Sequence, residues 1–270
     1  MSKNSLLYIL GLLVLIVGFY ACERDDSEPS LEMRQFTRLY VSFEEYGTSN
    51  NRADTNIRII YPADSSVFGF NGRHVAPIRG GGPISYERDL NAMFHASINP
   101  PGSNDTAISV LSLGSSGSLT NAGVMKSRFY SNVKGMAYHR ALNVLYVVNG
   151  TGPDAGVYVV ETPRYGNNEK QPAKKLRNSG LNMWGAAYQN DKLFASKTSA
   201  PAGIYVFDKI SSKEVNELDS IGSLSPERIL EIDGAANLRG LFYDTVKNVL
   251  AVTDYSTATP SVGRDRKSVV

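Results

Sequence analysis

Apolar residues in this chain come in short runs, rich in β-branched and aromatic side chains and bounded by Gly, Pro, Asn and Ser. Ile57–Arg–Ile–Ile–Tyr61, Ile108–Ser–Val–Leu–Ser112, Val157–Tyr–Val–Val–Glu161 and Ile204–Tyr–Val–Phe–Asp208 are the clearest. Such runs predict β-strands. Each follows, by 11 to 18 residues, a shorter triplet: Leu39–Tyr–Val, Met93–Phe–His, Leu145–Tyr–Val and Leu193–Phe–Ala.

The pattern repeats. Asn132–Val–Lys–Gly–Met–Ala–Tyr138, Asn182–Met–Trp–Gly–Ala–Ala–Tyr188 and Asn237–Leu–Arg–Gly–Leu–Phe–Tyr243 share Asn, Gly and Tyr at fixed offsets, and a triplet follows each Tyr within seven residues. Tyr86 stands seven residues before Met93, while no Tyr precedes Leu39. The triplets begin at residues 39, 93, 145, 193 and 250, so successive units are 54, 52, 48 and 57 residues apart. A more polar fourth segment, such as Arg228–Ile–Leu–Glu–Ile–Asp233, separates one unit from the next. Four short strands per unit of about 50 residues predict an all-β fold, a β-propeller of four-stranded blades, over residues 33–264. One blade cannot bury both of its faces, so its neighbours must cover them. The repeated Gly135, Gly185 and Gly240 are expected where inner strands crowd the axis; the plainer alternative is that they begin strands after a turn.

The units Lys134–Gly–Met–Ala–Tyr138, Leu145–Tyr–Val–Val–Asn149 and Gly203–Ile–Tyr–Val–Phe–Asp208 resemble blades of NHL and YVTN-type propellers. The resemblance spans about residues 33 to 263 and implies the fold; its motifs carry little about activity.

The N-terminus has its own logic. Lys3 precedes an apolar stretch from Leu6 to Tyr20, then come Ala21, Cys22 and the polar run from Glu23 to Ser27. This is the layout of a signal peptide over residues 1–21, and at about 15 residues the stretch is short for a membrane-spanning helix. The only cysteine of the chain stands directly after it, which resembles the lipobox of bacterial lipoproteins, although Phe19 and Tyr20 depart from the usual residues there. The resemblance implies a lipid (diacylglycerol, palmitate) on Cys22 and a body exported and anchored in the cell envelope, at the outer membrane. Plain secretion or an uncleaved anchor is the alternative. Residues 22–32 then read as a polar tether. With Cys22 lipidated, no thiol remains for disulfides, metals or nucleophilic chemistry.

The last unit ends abruptly at Gly263, and Arg264–Asp–Arg–Lys–Ser–Val–Val270 follows where an apolar strand is due. Back-translated, residues 265–270 look like a common sequencing adapter, so the expectation is a non-native tail on a C-terminally truncated ring of about 4.5 blades. A six- or seven-bladed ring needs roughly 80 to 140 further residues at this period. A genuine basic tail on a five-bladed ring is the alternative.

Composition excludes more than it assigns. Lys and Arg total 28 against 26 Asp and Glu; loss of a leader containing Lys3 leaves 27 against 26, so no nucleic-acid footprint is visible. His74, His95 and His139 fall in different units without ligand spacing, which predicts no metal site. Gly80–Gly–Gly82 lacks the Lys and Ser/Thr of a phosphate loop, and Gly114–Ser–Ser–Gly–Ser118 reads as a turn, not a nucleophile elbow. Glu161, Asp208 and Asp254 end strands and are expected to cap turns. No catalytic constellation and no cofactor site are predicted. The residues before the repeated glycines, Lys134, Trp184 and Arg239, stand where the resemblance implies a mouth of the central channel. Two cations and an indole there suit an anionic or sugar-like ligand; the alternative is three solvated loop residues. The reading is therefore a non-enzymatic envelope protein that binds a glycan, peptide or protein partner. A propeller hydrolase or lactonase, with acidic metal ligands and an Asn in the channel, is the other.

Overall fold

The computed structural model describes residues 38–43, 55–63, 69–97, 99, 105–165, 168–214, 224–255 and 264–269. The expected leader, Cys22 and the tether lie outside the described residues. Within them the chain is all-β, with only single 3-10 turns between strands.

Each full repeat starts with a tight hairpin, and its sequence shows why. Asn91, Asn143, Asn190 with Asp191, and Asn248 sit at the tips with positive φ, a conformation that Asn and Asp tolerate better than other side chains. The repeated Tyr then ties down the tip. Tyr138 OH donates to Asn143 Oδ1 at 3.0 Å, Tyr243 OH donates to Asn248 Oδ1, and Tyr188 OH accepts from the Asp191 N–H at 3.1 Å. The Asn at the other end of the motif works through its backbone. The carbonyls of Asn132, Asn182 and Asn237 accept from the N–H groups of Gly150, Thr198 and Tyr255, which closes the open end of each hairpin.

Five antiparallel sheets follow in chain order. The first holds β1 (Leu39–Ser42), β2 (Ile57–Ile60) and β3 (Phe70–His74); the second β4 (Ile84–Glu87), β5 (Ala92–Ala96), β6 (Ala107–Leu113) and β7 (Leu119–Lys126). The third is built on β8 (Val133–His139), β9 (Val144–Asn149) and β10 (Gly156–Glu161). Then comes β11 (Asn168–Glu169), which leaves its own blade to pair in parallel with β7 and so covers the outer edge of the second sheet. Next, β12 (Lys174–Arg177) completes the third sheet as its outermost strand. The fourth sheet holds β13 (Met183–Gln189), β14 (Lys192–Lys197), β15 (Gly203–Asp208) and β16 (Arg228–Glu231). The fifth holds β17 (Leu238–Asp244), β18 (Val249–Asp254) and β19 (Arg264–Val269). β19 contains the residues expected to be a non-native tail; an open sheet edge offers backbone pairing to almost any sequence. In the first sheet, β1 aligns with the second strands of the other blades, in line with the missing Tyr before Leu39.

Successive side chains on a strand point to opposite faces, and here both faces are buried. In β9, Leu145 and Val147 join Phe94, Val110 and Tyr158 in a core between the second and third blades. Tyr146 and Val148 join Leu193, Ala195 and Phe207 in a core between the third and fourth. Similar cores lie between blades one and two, around Ile57, Met93 and Leu111, and between four and five, around Phe194, Ile204 and Leu250. Burying each large apolar side chain contributes about 1.5–3 kcal/mol, so blade-to-blade packing, not the single sheet, holds the fold. This is the propeller arrangement of four-stranded blades that the repeat predicts.

Candidate functional site

The glycines of the repeat lie where inner strands meet side by side. A Cβ on Gly135 would stand 2.6 Å from the carbonyl oxygen of Trp184 and 2.7 Å from the amide of Ala186, and one on Gly185 would stand 2.5 Å from the carbonyl of Arg239. Real side chains do not come that close to backbone, so the axial explanation of these two glycines holds.

At the same level each inner strand carries a break in register, between Val133 and Gly135, between Met183 and Ala186, and between Leu238 and Leu241. Such bulges leave residues unpaired and re-aim their side chains. Among the residues freed are Lys134, Trp184 and Arg239. They are strand residues, each half-buried, and not the solvated loop residues of the alternative reading.

The structure brings all three together. Lys134 Nζ lies 4.5 Å from the centroid of the Trp184 ring, and the guanidinium carbon of Arg239 lies 3.6 Å from it. Trp184 belongs to the fourth blade, and the cations reach it from the third and the fifth. Attraction between a cation and an aromatic ring contributes about 0.5–1 kcal/mol where water has access, and here it holds two like charges beside one indole. Both cations lie over the one indole ring.

Neighbouring groups fix the row. Arg239 Nε donates to Asn237 Oδ1 at 3.1 Å, so the repeated Asn orients the cation two residues on. The buried hydroxyl of Ser196 accepts from the Gly185 N–H at 2.7 Å and donates to the Arg239 carbonyl at 2.6 Å, bridging the bulge of one blade to that of the next. The aliphatic stem of Lys134 packs on Gly150, where an added Cβ would stand 2.6 Å from Cγ. Buried Asp254 accepts from the N–H groups of Ala236 and Asn237 and shapes the loop that leads into Arg239, the capping role expected of it. Tyr255, 58% exposed, has its ring 5.3 Å from the Arg239 guanidinium. The sequence singled out Lys134, Trp184 and Arg239 through the repeat; Asn237 was legible only as a repeat position, and Ser196 and Tyr255 not at all.

The other groups singled out from sequence lie elsewhere. His95 is fully buried between the first two blades, with Nε2 2.8 Å from Ser42 Oγ and Nδ1 unpartnered; burial, with the charge of His74 adding, pulls it down to about 4. His74 Nε2 meets Asn121 Oδ1 at the surface, and His139 Nδ1 accepts from the Leu142 N–H. Gly114–Ser118 turns the β6–β7 hairpin, with Gly117 at φ +73°. Gly80–Gly82 lies in a loop latched by buried Asn56, whose side chain donates to the carbonyls of Ala76, Ile78 and Gly80. Asp208 pairs with Lys192 at 3.5 Å, and Glu161 is exposed at the end of β10. Among the described residues no three His, Cys, Asp or Glu side chains cluster as metal ligands, and no helix is long and apolar enough to cross a membrane.

No family model and no curated protein matches this sequence. Solved structures do match in shape. The periplasmic gluconolactonase PpgL of Pseudomonas aeruginosa is 13% identical with a TM-score of 0.53, over 86% of this chain and 67% of that one. A chain of a nidogen/laminin complex is 13% identical with a TM-score of 0.50, over 86% of this chain and 78% of that one. A chain of a mitotic checkpoint complex is 12% identical with a TM-score of 0.50, over 82% of this chain and 56% of that one. The present chain thus spans little more than half of some of the structures it resembles. At these identities the likeness is one of fold, and the fold is the β-propeller.

Proposed function

We propose that this protein is a bacterial cell-envelope lipoprotein, anchored through a lipid on Cys22 and probing its surroundings with an NHL/YVTN-like propeller that binds a ligand at one mouth of the channel. The observation that carries the binding reading is the convergence of Lys134, Trp184 and Arg239, from three blades, on one point. Each stands on a bulge of its inner strand. Bulges re-aim a side chain, and three successive inner strands carry theirs at the same repeat position.

The anchor has a direct test. In a bacterial host, the Cys22→Ala variant is expected in the soluble exported fraction while the parent sediments with membranes; a variant that still sediments removes the lipid anchor from the proposal. Binding is tested by probing glycan and peptide arrays with the parent and with the triple variant K134A/W184A/R239A. A ligand retained by the parent and lost by a folded triple variant supports the site; ligands held equally by both place binding elsewhere.

A second reading, a lactonase working in the channel, draws on the shared fold with a gluconolactonase. Among the described residues the convergence offers donors and positive charge, and no three His, Cys, Asp or Glu side chains cluster as metal ligands. Hydrolysis of gluconolactone by the purified chain, abolished by chelation, would favour that reading.

A further inference from the structure

The strap formed by β11 and the two residues after it gathers positive charge at the outer rim between blades two and three. The Lys170 N–H donates to the Lys126 carbonyl at 3.1 Å, and the Lys170 carbonyl accepts from Tyr130 OH at 2.7 Å. Gln171 Oε1 accepts from Ser127 Oγ at 2.9 Å, so the strap is fastened along the turn Arg128–Tyr130. The ring of Phe129 in that turn is buried and stacked on Tyr158. It carries two cations, Arg128 Cζ at 4.7 Å and Lys175 Nζ at 4.4 Å from its centroid, which puts those charges within about 9 Å of each other. Lys126 from β7, Arg128 from the turn, Lys170 from the strap and Lys175 from β12 thus form one patch, the first two exposed and the others half-buried.

These charges meet a hydroxyl and a ring, not acids. Lys170 Nζ donates to Thr162 Oγ1 at 3.1 Å. Among the described residues none of the four forms an ion pair; the pairs nearby are Arg177 with Asp154 and Lys213 with Glu227. Glu161 and Glu169, exposed on β10 and β11, pair with none of the four. The chain as a whole is nearly balanced, with 28 Lys and Arg against 26 Asp and Glu, so the patch is a local asymmetry. A surface of one sign attracts a surface of the other.

We infer that this rim docks on the anionic headgroups of the membrane to which the protein is anchored. The inference rests on the reading of the chain as a lipid-anchored envelope protein and adds how its body sits. The expected tether, residues 22–32, spans at most about 40 Å when extended, so headgroups stay within reach of the body, whereas a soluble polyanion has to be captured from solution. Attraction of Lys and Arg to an anionic leaflet is screened beyond about 10 Å at 0.1 M salt. Four such contacts turn the body and do not replace the lipid, so the Cys22→Ala chain still leaves the membrane at the salt of a cell extract.

The test sediments the full Cys22→Ala chain, which carries no lipid, with vesicles of phosphatidylcholine and with vesicles in which about a quarter of the lipid is phosphatidylglycerol. The quantity read is the gain in binding from neutral to anionic vesicles. At low salt a gain of about tenfold or more is expected, vanishing at high salt and lost in K126Q/R128Q/K170Q/K175Q. The control R73Q/R88Q/K209Q/K247Q removes as much charge from exposed positions elsewhere and should keep the gain. Should the rim variant lose its thermal transition, the exposed pair K126Q/R128Q replaces it, with a partial loss expected. The inference is overturned if the parent shows no gain, if the rim variant keeps it, or if the control loses it equally, since net charge is then responsible. It is overturned too if millimolar glycerol phosphate abolishes the gain, which marks a pocket for one headgroup and not a surface. None of these readings depends on lipid at Cys22, which the fractionation experiment decides separately.

Discussion

The fourth blade, toward the fifth, and the fifth blade, on its far side, present the same motif in two environments. Against Gly185 lies the backbone of Arg239–Leu241; beside Gly240 the nearest atom to an added Cβ is the blade's own Thr253 Oγ1, at 3.2 Å. Ser196 bonds its own bulge and also donates to the next blade, whereas Thr253, at the corresponding place, accepts only from the Gly240 N–H. Ala137 and Ala187 are covered at 6% and 7% exposure, while Phe242, which aligns with them, is 65% exposed. The repeat supplies each blade with the same fittings, and among the described residues those of blade four meet the next blade while those of blade five meet their own. Position in the motif alone therefore does not predict the effect of a substitution.

The sharpest way to break this comparison is to remove an aromatic ring on each side of it. Phe207→Ala, in the core between blades three and four, is expected to cost about 3–5 kcal/mol, whereas Phe242→Ala should stay within about 0.5 kcal/mol; chemical denaturation reads both. Next in size come the glycines. Gly185→Ala forces a methyl group into the backbone of the next blade and should destabilise by about 1–3 kcal/mol, while Gly240→Ala meets only a hydroxyl and is expected to be nearly silent. Equal losses at both positions would mean that local backbone conformation, not crowding, sets the requirement for glycine. The hydroxyls follow. Ser196→Ala strands a buried N–H and a carbonyl and should cost about 2 kcal/mol; Thr253→Val leaves a more accessible N–H and should cost less than half of that.

A separate effect is in pH, at the junctions around the second blade. Burial, opposed by the Ser85 hydroxyl and helped by Asp89, pushes Glu87 up to about 7. A carboxyl raised in the folded state binds more protons there than in the unfolded chain, so Glu87 lowers stability as pH rises from about 4.5 to 7. His95, pulled down to about 4, has the opposite sign: the unfolded chain binds more protons, and stability falls as pH drops from about 6.5 to 4. The two oppose each other between about 4.5 and 6.5. In Glu87→Gln the thermal midpoint should therefore rise clearly with pH over that window, and a flat profile in this variant would mean that His95 is more solvated than its burial suggests.

Much of the fold was written in the chain because a propeller is a one-dimensional repeat. Asn, Gly and Tyr recur at fixed offsets in blades three to five: the Asn carbonyl closes the hairpin and the Tyr hydroxyl ties the tip in all three, and Gly admits the next strand in blades three and four. The excursion of β11 to the second blade was not legible, since two residues of parallel pairing leave no period. Nor were the bulges, because one unpaired residue shifts no apolar position by more than the natural scatter between units. Of the candidate site, the sequence identified Lys134, Trp184 and Arg239 and put them at one level. It could not say which atoms meet.

What the sequence alone determined, then, is the kind of element, its order and the residues that recur before the repeated glycines, because these follow from local alternation and period. Tertiary structure decided that two cations share one indole, that Ser196 bridges two blades and that Phe242 lies open. Those are contacts between residues about 40 to 60 positions apart, and their distances depend on how neighbouring blades pack, which no local pattern encodes.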